Sequence, residues 1–348
     1  MLLDGLHIPL TTPFYPDGRV YLRKVEHNAE RYSRTPAAGL AVLTPTGEAS
    51  LLSDAETRQV LSAAIQASAP EKVMTASISR DGVLTTLDLA EFAASLGYDV
   101  LLLRVPGVLA AGAPNLKPLL TYFQAIADRA PLPLLLQDHG SLPLELISEL
   151  SANPAFLGLL GDARGAGRLQ QVKAAAAATT REVVVTQVFA AVTHRMSIRQ
   201  EVPGAGNYIA AGSLTGGGTA LATAPPASKV RTRSKQIGFQ ILNGSSATLL
   251  DDLRSGAPGA LLPFAAAAPQ AVYEVFAAWK DGDPDLAAEK HIRLLAAAAE
   301  IEASLGVPAL KAACDLNGYY GGRPRLPLLP LSGEDRLRVE SLMAGMRN

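Results

Sequence analysis

The sequence predicts a (β/α)8 TIM barrel, and three observations support this prediction. Short apolar runs alternate eight times with longer segments whose apolar residues recur at helical spacing. These runs show no strict alternation of apolar and polar residues, which is typical of parallel strands covered on both faces. The chain has 348 residues, enough for one large barrel and a smaller appendage.

The eight strand and helix pairs follow one another along the chain. In a barrel of this kind the carboxyl ends of all the strands meet at one face, where such folds hold their active sites. The predicted pairs are Leu6–Thr11 with Val20–Ser33, Gly39–Leu43 with Ala55–Ala67, Lys72–Ser77 with Val83–Leu96, Val100–Arg104 with Leu116–Ala130, Leu134–Leu136 with Leu142–Ser151, Phe156–Leu160 with Gly167–Ala178, Phe239–Leu242 with Thr248–Ser255, and Gly259–Leu262 with Pro269–Lys280.

The gap between the sixth and seventh strands is too long for a single crossover. Leu160 and Ile241 are 81 positions apart (241 − 160), whereas one strand-to-strand crossover takes about 30 residues. We therefore predict an insertion at about 180–236, with an extra strand at Glu182–Val188. Because the insertion comes after a barrel strand, we expect it to leave the carboxyl face, either as a lid over the site or as a flexible excursion.

Two domains are expected: a barrel at 1–280 and a C-terminal helical segment at 281–348. Within the second, helical patterns cover Pro284–Leu305, Pro308–Leu316 and Ser332–Met346, and Ser332 has the side chain of an N-cap.

Composition excludes several classes of protein. A formal net charge of −1 gives no field that favours nucleic acid or an anionic membrane, and the basic cluster Lys229–Lys235 is interpreted as a solvated loop. The single cysteine, Cys314, excludes an internal disulfide. No apolar run approaches the roughly 18 residues of a membrane span. The glycine-rich run Ser213–Thr219 lacks the Gly-Lys-Ser/Thr of a phosphate-binding loop. We expect a cytoplasmic protein with no cofactor.

Several motifs carry a resemblance to a known family. The opening Ile8–Phe14, the loop Thr44–Glu48 and the segment Leu52–Glu56 resemble the dihydrodipicolinate synthase / N-acetylneuraminate lyase family. The resemblance covers nearly the whole chain except the insertion, and implies a barrel with a C-terminal helical segment, usually assembled as homo-dimers or homo-tetramers. The further matches are Leu242–Gly244, Gly256–Gly259, Gly282–Asp283, Lys311 before Gly318, and Arg325–Leu328.

The resemblance also implies a chemistry. In this family a lysine at the end of the sixth strand forms a Schiff base with a 2-keto acid, and a tyrosine at the end of the fifth strand relays the proton. Here those positions fall on Leu160 and Gln137. Leucine cannot form an imine, and an amide cannot relay a proton as a phenol does. No other lysine is predicted at the carboxyl end of a strand.

Most of the family's binding positions are also changed. Of the two threonines that hold the keto acid's carboxylate, the first falls on Pro45 and only the second, Thr46, is kept. The family's second tyrosine falls near Val108, and its arginine falls near Leu142. The candidate substrate-binding residues are Thr46, Arg104, Gln137 and Leu160. Arg104 ends the fourth strand, where it could pair with a ligand carboxylate or with Asp138 or Asp162.

Other polar residues should gather at the same face. Asp138, His139 and Asp162 could act as acid and base, or could bind a divalent metal together with Glu48, although their spacing matches no tight metal motif and no metal is predicted. The remaining members of this group are Ser77, Ser79, Arg80 and Arg164.

Three functions remain open. The first is a pseudoenzyme that has lost Schiff-base chemistry and binds a small carboxylate or keto acid. The second is a lyase or hydrolase that works by an altered mechanism through Asp138, His139 and Asp162. The third is a keto-acid lyase with a displaced lysine. We rank them in that order.

Overall fold

The computed structural model describes residues 1–110, 115–140, 142–161, 167–201 and 231–346. Eight of its strands are parallel and close into a barrel in the order β1, β10, β9, β6, β5, β4, β3, β2. The remaining two, β7 and β8, form a separate antiparallel pair. The strands are β1 Gly5–Pro9, β2 Gly39–Val42, β3 Val73–Ser77, β4 Val100–Arg104, β5 Leu134–Asp138, β6 Phe156–Gly161, β7 Thr180–Thr186, β8 Thr232–Gly238, β9 Gln240–Asn243 and β10 Gly259–Leu261.

Helices surround the barrel and continue into the C-terminal segment. They are α1 Leu22–Ser33, α2 Asp54–Ala67, α3 Val83–Leu96, α4 Gly107–Ala110, α5 Leu116–Ala127, α6 Leu144–Ala152, α7 Arg168–Ala175, α8 His194–Glu201, α9 Leu249–Arg254, α10 Pro269–Lys280, α11 Pro284–Ala298, α12 Val307–Leu316 and α13 Gly333–Met343. The (β/α)8 barrel is therefore confirmed. No helix among the described residues is both long and apolar enough to cross a membrane.

The core has two layers because side chains alternate across each strand. One set packs between the strands and the surrounding helices. The other fills the inside of the barrel, where Leu102, Leu135, Leu160 and Leu242 form part of one buried cluster. Residues two positions further along β4 and β5 point to this same inner face, at the carboxyl end of the barrel.

The insertion lies at the end of the barrel opposite to the one expected. Helix α7 follows β6 and returns the chain to the amino end of the barrel before β7 begins. Strands β7 and β8 pair as an antiparallel ribbon, with Thr180 opposite Gly238 and Thr186 opposite Thr232. An extra strand is confirmed, beginning two residues earlier than predicted. The part of the basic cluster from Thr232 onward is a strand and not a loop.

Arginine side chains fasten the ribbon and α8 to the amino end. Arg181 donates to the carbonyls of Ser151 and Asn153, 2.7 and 2.8 Å away, just before β6 begins. Arg195 donates to the carbonyls of Ser68 and Ala69, at 2.8 and 2.7 Å, just before β3 begins.

A buried carboxylate makes a third anchor. Asp99 comes directly before β4 and accepts hydrogen bonds from the backbone N–H of His194, at 2.6 Å, and of Met74, at 2.9 Å. Ala191 packs with Met1 against the cluster inside the barrel. The expected departure from the carboxyl face is therefore wrong for the described part of the insertion. Residues 202–230, and with them the glycine-rich run Ser213–Thr219, lie outside the described residues.

Candidate functional site

Strand register places four side chains in a row across the carboxyl mouth of the barrel. Arg104 of β4 pairs with Gln137 of β5, Gln137 with Leu160 of β6, and Leu160 with Leu242 of β9. Residues paired in this way on parallel strands face the same side, and Leu160 and Leu242 belong to the cluster inside the barrel. The mouth therefore presents a cation, an amide and two leucines in succession.

Leu160 is buried, with 4% of its surface exposed. Its neighbours across the strands are Gln137 and Leu242. The residue at this place has no group that can attack a carbonyl. An apolar wall suits the methylene part of a small ligand and adds no chemistry of its own.

The other lysines of the described residues do not take the place of the Schiff-base lysine that the resemblance implies. Those with a contact are held away from Leu160 by other partners, and Lys117 is exposed in the first turn of α5. The partners are the Tyr320 ring for Lys24, the carbonyls of Thr35 and Ala37 for Lys72, the carbonyl of Ser255 for Lys173, the Phe189 ring for Lys235, Asp4 for Lys280, and Glu274 for Lys290.

Lys311 is the lysine that lies against the loop after β2, and it is sealed from solvent. Its ammonium pairs with Glu48, and both side chains are essentially unexposed. It also donates to the carbonyl of Arg323, 2.9 Å away, and lies 4.4 Å from the centre of the Phe14 ring. Burial lowers the pKa of Lys311, and the Glu48 carboxylate opposes this shift. A ligand in the mouth cannot reach this amine without breaking the pair.

Glu48 is consequently a structural residue. Its second oxygen accepts a hydrogen bond from the backbone N–H of Arg325, 2.7 Å away. Glu48 adopts a left-handed backbone, with φ of 53°, at the junction of two short 3-10 turns. The sequence motif pointed to the glutamate, but its partner Lys311 lies 263 positions away and could not be paired with it from the sequence.

Two buried polar atoms without hydrogen-bond partners lie at the carboxyl end of the barrel. Gln137 is 91% buried, and its Oε1 has no hydrogen-bond partner. Thr44, at the start of the β2 loop, is buried with its Oγ1 equally unpartnered. Because burying such an atom without a partner costs about 1–3 kcal/mol, these atoms are suited to hydrogen-bond a ligand. Thr46, the retained threonine, is buried in the same loop.

A pocket of about 180 Å³ opens beside this row, between the loops that follow β2, β3 and β4. Its polar lining includes Ser77, Ser79, Arg80 and Arg104. Ser79 Oγ accepts the backbone N–H of Arg104 at 3.0 Å, so its hydroxyl hydrogen is free to donate to a ligand. The structure thus brings Arg104 together with the polar residues that follow β3.

Asp138 and His139, the candidate acid and base residues, lie in different environments. Asp138 is buried, and its carboxylate accepts from Arg168, at 2.9 Å, and from the backbone N–H of Leu142, at 3.0 Å. His139 is exposed. Asp162 and Arg164 lie outside the described residues. Among the residues that are described, no three His, Cys, Asp or Glu side chains are arranged to hold a metal ion.

The two remaining positions to which the resemblance assigns a role are Val108 and Leu142. Val108 is exposed on α4, with 69% of its surface accessible. Leu142 is buried, and its carbonyl accepts a hydrogen bond from Arg168. Arg168 had no signal in the sequence beyond its place in a predicted helix.

Residues 2–187 and 226–345 match the Dihydrodipicolinate synthetase family. The chain belongs to this family. It is 23% identical over 345 residues to the 4-hydroxy-tetrahydrodipicolinate synthase of Methanothrix thermoacetophila, a match that covers 99% of this chain and 97% of that protein.

Solved structures agree on the fold. The N-acetylneuraminate lyase of Mycoplasma synoviae superposes with a TM-score of 0.74 at 16% identity, covering 99% of this chain and 98% of that one. A prophage protein of the dihydrodipicolinic acid synthase family from Escherichia coli K12, solved in complex with pyruvate, gives a TM-score of 0.73 at 19% identity, covering 99% of both chains.

Proposed function

We propose that this member of the dihydrodipicolinate synthetase family binds a small carboxylate or keto acid at its barrel mouth and does not form a Schiff base with it. The observation that carries the proposal is Leu160, a buried leucine beside Gln137 at the end of the sixth barrel strand. Imine formation needs an amine that is partly neutral and open to the ligand. Lys311 is the described lysine that lies against the loop after β2. Its ion pair with Glu48 and its burial keep its amine closed to the ligand.

The same mouth retains what binding needs. Arg104 supplies a cation at the edge of the row, and Thr46 remains in the β2 loop. The E. coli relative solved with pyruvate supports a ligand of this size. Asp138 gives no support to an altered acid–base mechanism, because its carboxylate is held by Arg168 and a backbone N–H.

Borohydride trapping tests the proposal. The purified protein is incubated with pyruvate, 2-oxobutyrate or oxaloacetate and then reduced, and intact mass with peptide mapping reports any adduct. We expect no adduct on the native chain. An adduct on any lysine of the native chain overturns the proposal and identifies the amine.

A gain-of-function variant provides the control. Leu160→Lys places an amine among the leucines of the mouth, where apolar surroundings favour its neutral form. We expect this variant to give a pyruvate adduct, and Leu160→Lys with Gln137→Tyr to give more. The adduct shows that the assay detects an imine in this barrel, so its absence from the native chain is informative.

A further inference from the structure

The pocket between the β2, β3 and β4 loops carries more positive charge than one carboxylate requires. We propose that the ligand of the mouth is a small acid with two negative charges, of the dicarboxylate class, and that Arg80 and Arg104 together bind its second acidic group. This inference rests on the proposed function, because it assumes that a carboxylate occupies the mouth.

The guanidinium groups of Arg80 and Arg104 are weakly balanced by protein carboxylates. Both line the same pocket. Arg104 makes no ion pair with any residue in the described ranges, so its charge is not balanced there by a protein carboxylate. Arg80 has one ion pair, to Asp54 at 3.5 Å, and the Asp54 side chain is 89% exposed. An exposed pair of that length is weak and easily exchanged for a ligand anion.

The acidic residues nearby, Glu48 and Asp81, do not cancel this positive charge. Glu48 lines the pocket, but its charge is balanced by Lys311. Asp81 accepts the backbone N–H of Gly107 at 2.6 Å and does not line the pocket. Counted over the residues that the structure describes, the pocket therefore keeps an excess of positive charge, which favours an anion.

The pocket also has hydroxyl donors and a small volume. Ser79 offers a free hydroxyl hydrogen next to Arg104, and Ser77 lines the same wall. Arginine and hydroxyl donors together satisfy the oxygens of a carboxylate. A volume of about 180 Å³ is below the range of about 300–1,000 Å³ typical of drug-sized ligands. The ligand is therefore a short acid.

The loop that holds Thr46 also contributes Pro45 and Ala49 to this pocket. In the proposed complex one carboxylate lies against this loop and the second lies at the two arginines.

The experiment compares acids that differ only in the second charge. Butyrate and succinate have the same number of carbons, as do 2-oxobutyrate and oxaloacetate. Binding of each acid to the full-length protein is measured by calorimetry at neutral pH and low salt, and thermal stabilisation is followed in parallel. We expect each diacid to bind about tenfold tighter than its monoacid, and added salt to reduce this advantage.

Four variants locate the effect. Arg104→Met and Arg80→Met keep much of the side-chain length and remove the charge. Each should lower the affinity for the diacid far more than the affinity for butyrate, so that the preference for the diacid is lost. Arg254→Met is the matched control, because Arg254 is an exposed arginine of α9 paired with Asp251 outside the pocket lining, and it should keep the preference. Thermal unfolding of each variant shows whether it is folded, and Ser79→Ala provides a milder change in the same pocket.

The inference is overturned if mono- and diacids bind equally, if neither binds, or if Arg104→Met and Arg80→Met weaken both acids alike. A pyruvate adduct with a preserved diacid preference would overturn only the non-imine function. Equal affinities without an adduct would overturn only the diacid inference.

Discussion

The buried Lys311–Glu48 pair offers a quantitative test of the structure. In Glu48→Gln the lysine keeps its burial and loses the carboxylate that opposes the lowering of its pKa. Lys311 must then either remain charged without a partner or give up its proton. Breaking a buried pair in this way costs about 3–5 kcal/mol.

Proton release sets an upper limit on that cost. The ordinary pKa of lysine is 10.5, which is 3.5 pH units above pH 7. At about 1.36 kcal/mol per unit, neutralising Lys311 at pH 7 costs about 4.8 kcal/mol. At pH 9 the difference is 1.5 units and the cost falls to about 2 kcal/mol.

The direction of the pH dependence follows from the number of protons bound in the folded and unfolded states. In the variant the folded state holds fewer protons than the unfolded state between the lowered pKa of Lys311 and 10.5, so its stability rises with pH in that window. Urea unfolding followed by circular dichroism at pH 7 and pH 9 measures this. Glu48→Gln should have a lower free energy of unfolding than the native protein. We expect this difference to shrink by up to about 2.7 kcal/mol between pH 7 and pH 9.

Two controls accompany this measurement. The double variant Glu48→Gln with Lys311→Met removes both charges and should recover most of the lost free energy of unfolding. The difference that remains from the native protein should not depend on pH. Asp251→Asn breaks the exposed pair with Arg254 and should change stability by less than about 1 kcal/mol. A Glu48→Gln deficit below about 1 kcal/mol at pH 7, or one equal at both pH values, would refute this account of the pair.

Three further predictions concern other buried or anchored groups. Burial lowers the pKa of His7 inside the barrel to about 4, so the native protein should lose up to about 3 kcal/mol as pH falls from 6.5 to 4; His7→Gln should lose this dependence in urea titrations, and an unchanged profile would contradict the assignment. Hydrogen bonds from Arg325 lower the pKa of Glu56 to about 2, so its stabilisation should be present above pH 4.5 and lost as pH falls toward 2; Glu56→Gln should flatten that part of the acid-unfolding curve, and a curve that keeps its slope would argue against this pair. Arg195→Met removes donors to the carbonyls before β3 and should cost about 2–4 kcal/mol and speed proteolysis of the insertion; equal cleavage rates in native and variant protein would show that Arg195 is not an anchor.

Much of the barrel was predictable because its strands are apolar on both faces. The predicted and observed bounds of Val100–Arg104 coincide, and Phe156–Leu160 falls one residue short of β6. The row Arg104, Gln137, Leu160 follows from this, since side chains at the carboxyl ends of neighbouring parallel strands must meet. The sequence placed these residues at the mouth, and the register set their order.

The partners of charged residues were not predictable. Asp138 stands beside His139 in the sequence, yet the fold buries the aspartate against Arg168, 30 positions away, and leaves the histidine exposed. Glu48 and Lys311 are still further apart. Such pairs depend on which helices pack together, and local patterns contain no information about that.

The place of the insertion was predicted wrongly for a related reason. A helix at Gly167–Ala178 was predicted after the sixth strand, but the insertion was placed as if it left that strand directly. Helix α7 spans only Arg168–Ala175, but it is long enough to carry the chain back to the start of the strands.

The anchoring of the insertion at the amino end makes the two ends of this barrel experimentally separable. A strand of five residues is about 17 Å long at about 3.3 Å per residue, and this length of packed core stands between Arg195 and the mouth. A fluorophore or affinity tag carried on the β7–β8 ribbon can therefore report on folding or immobilise the protein without touching the ligand. Conversely, a library of substitutions at the mouth can be screened on a scaffold whose opposite end stays constant.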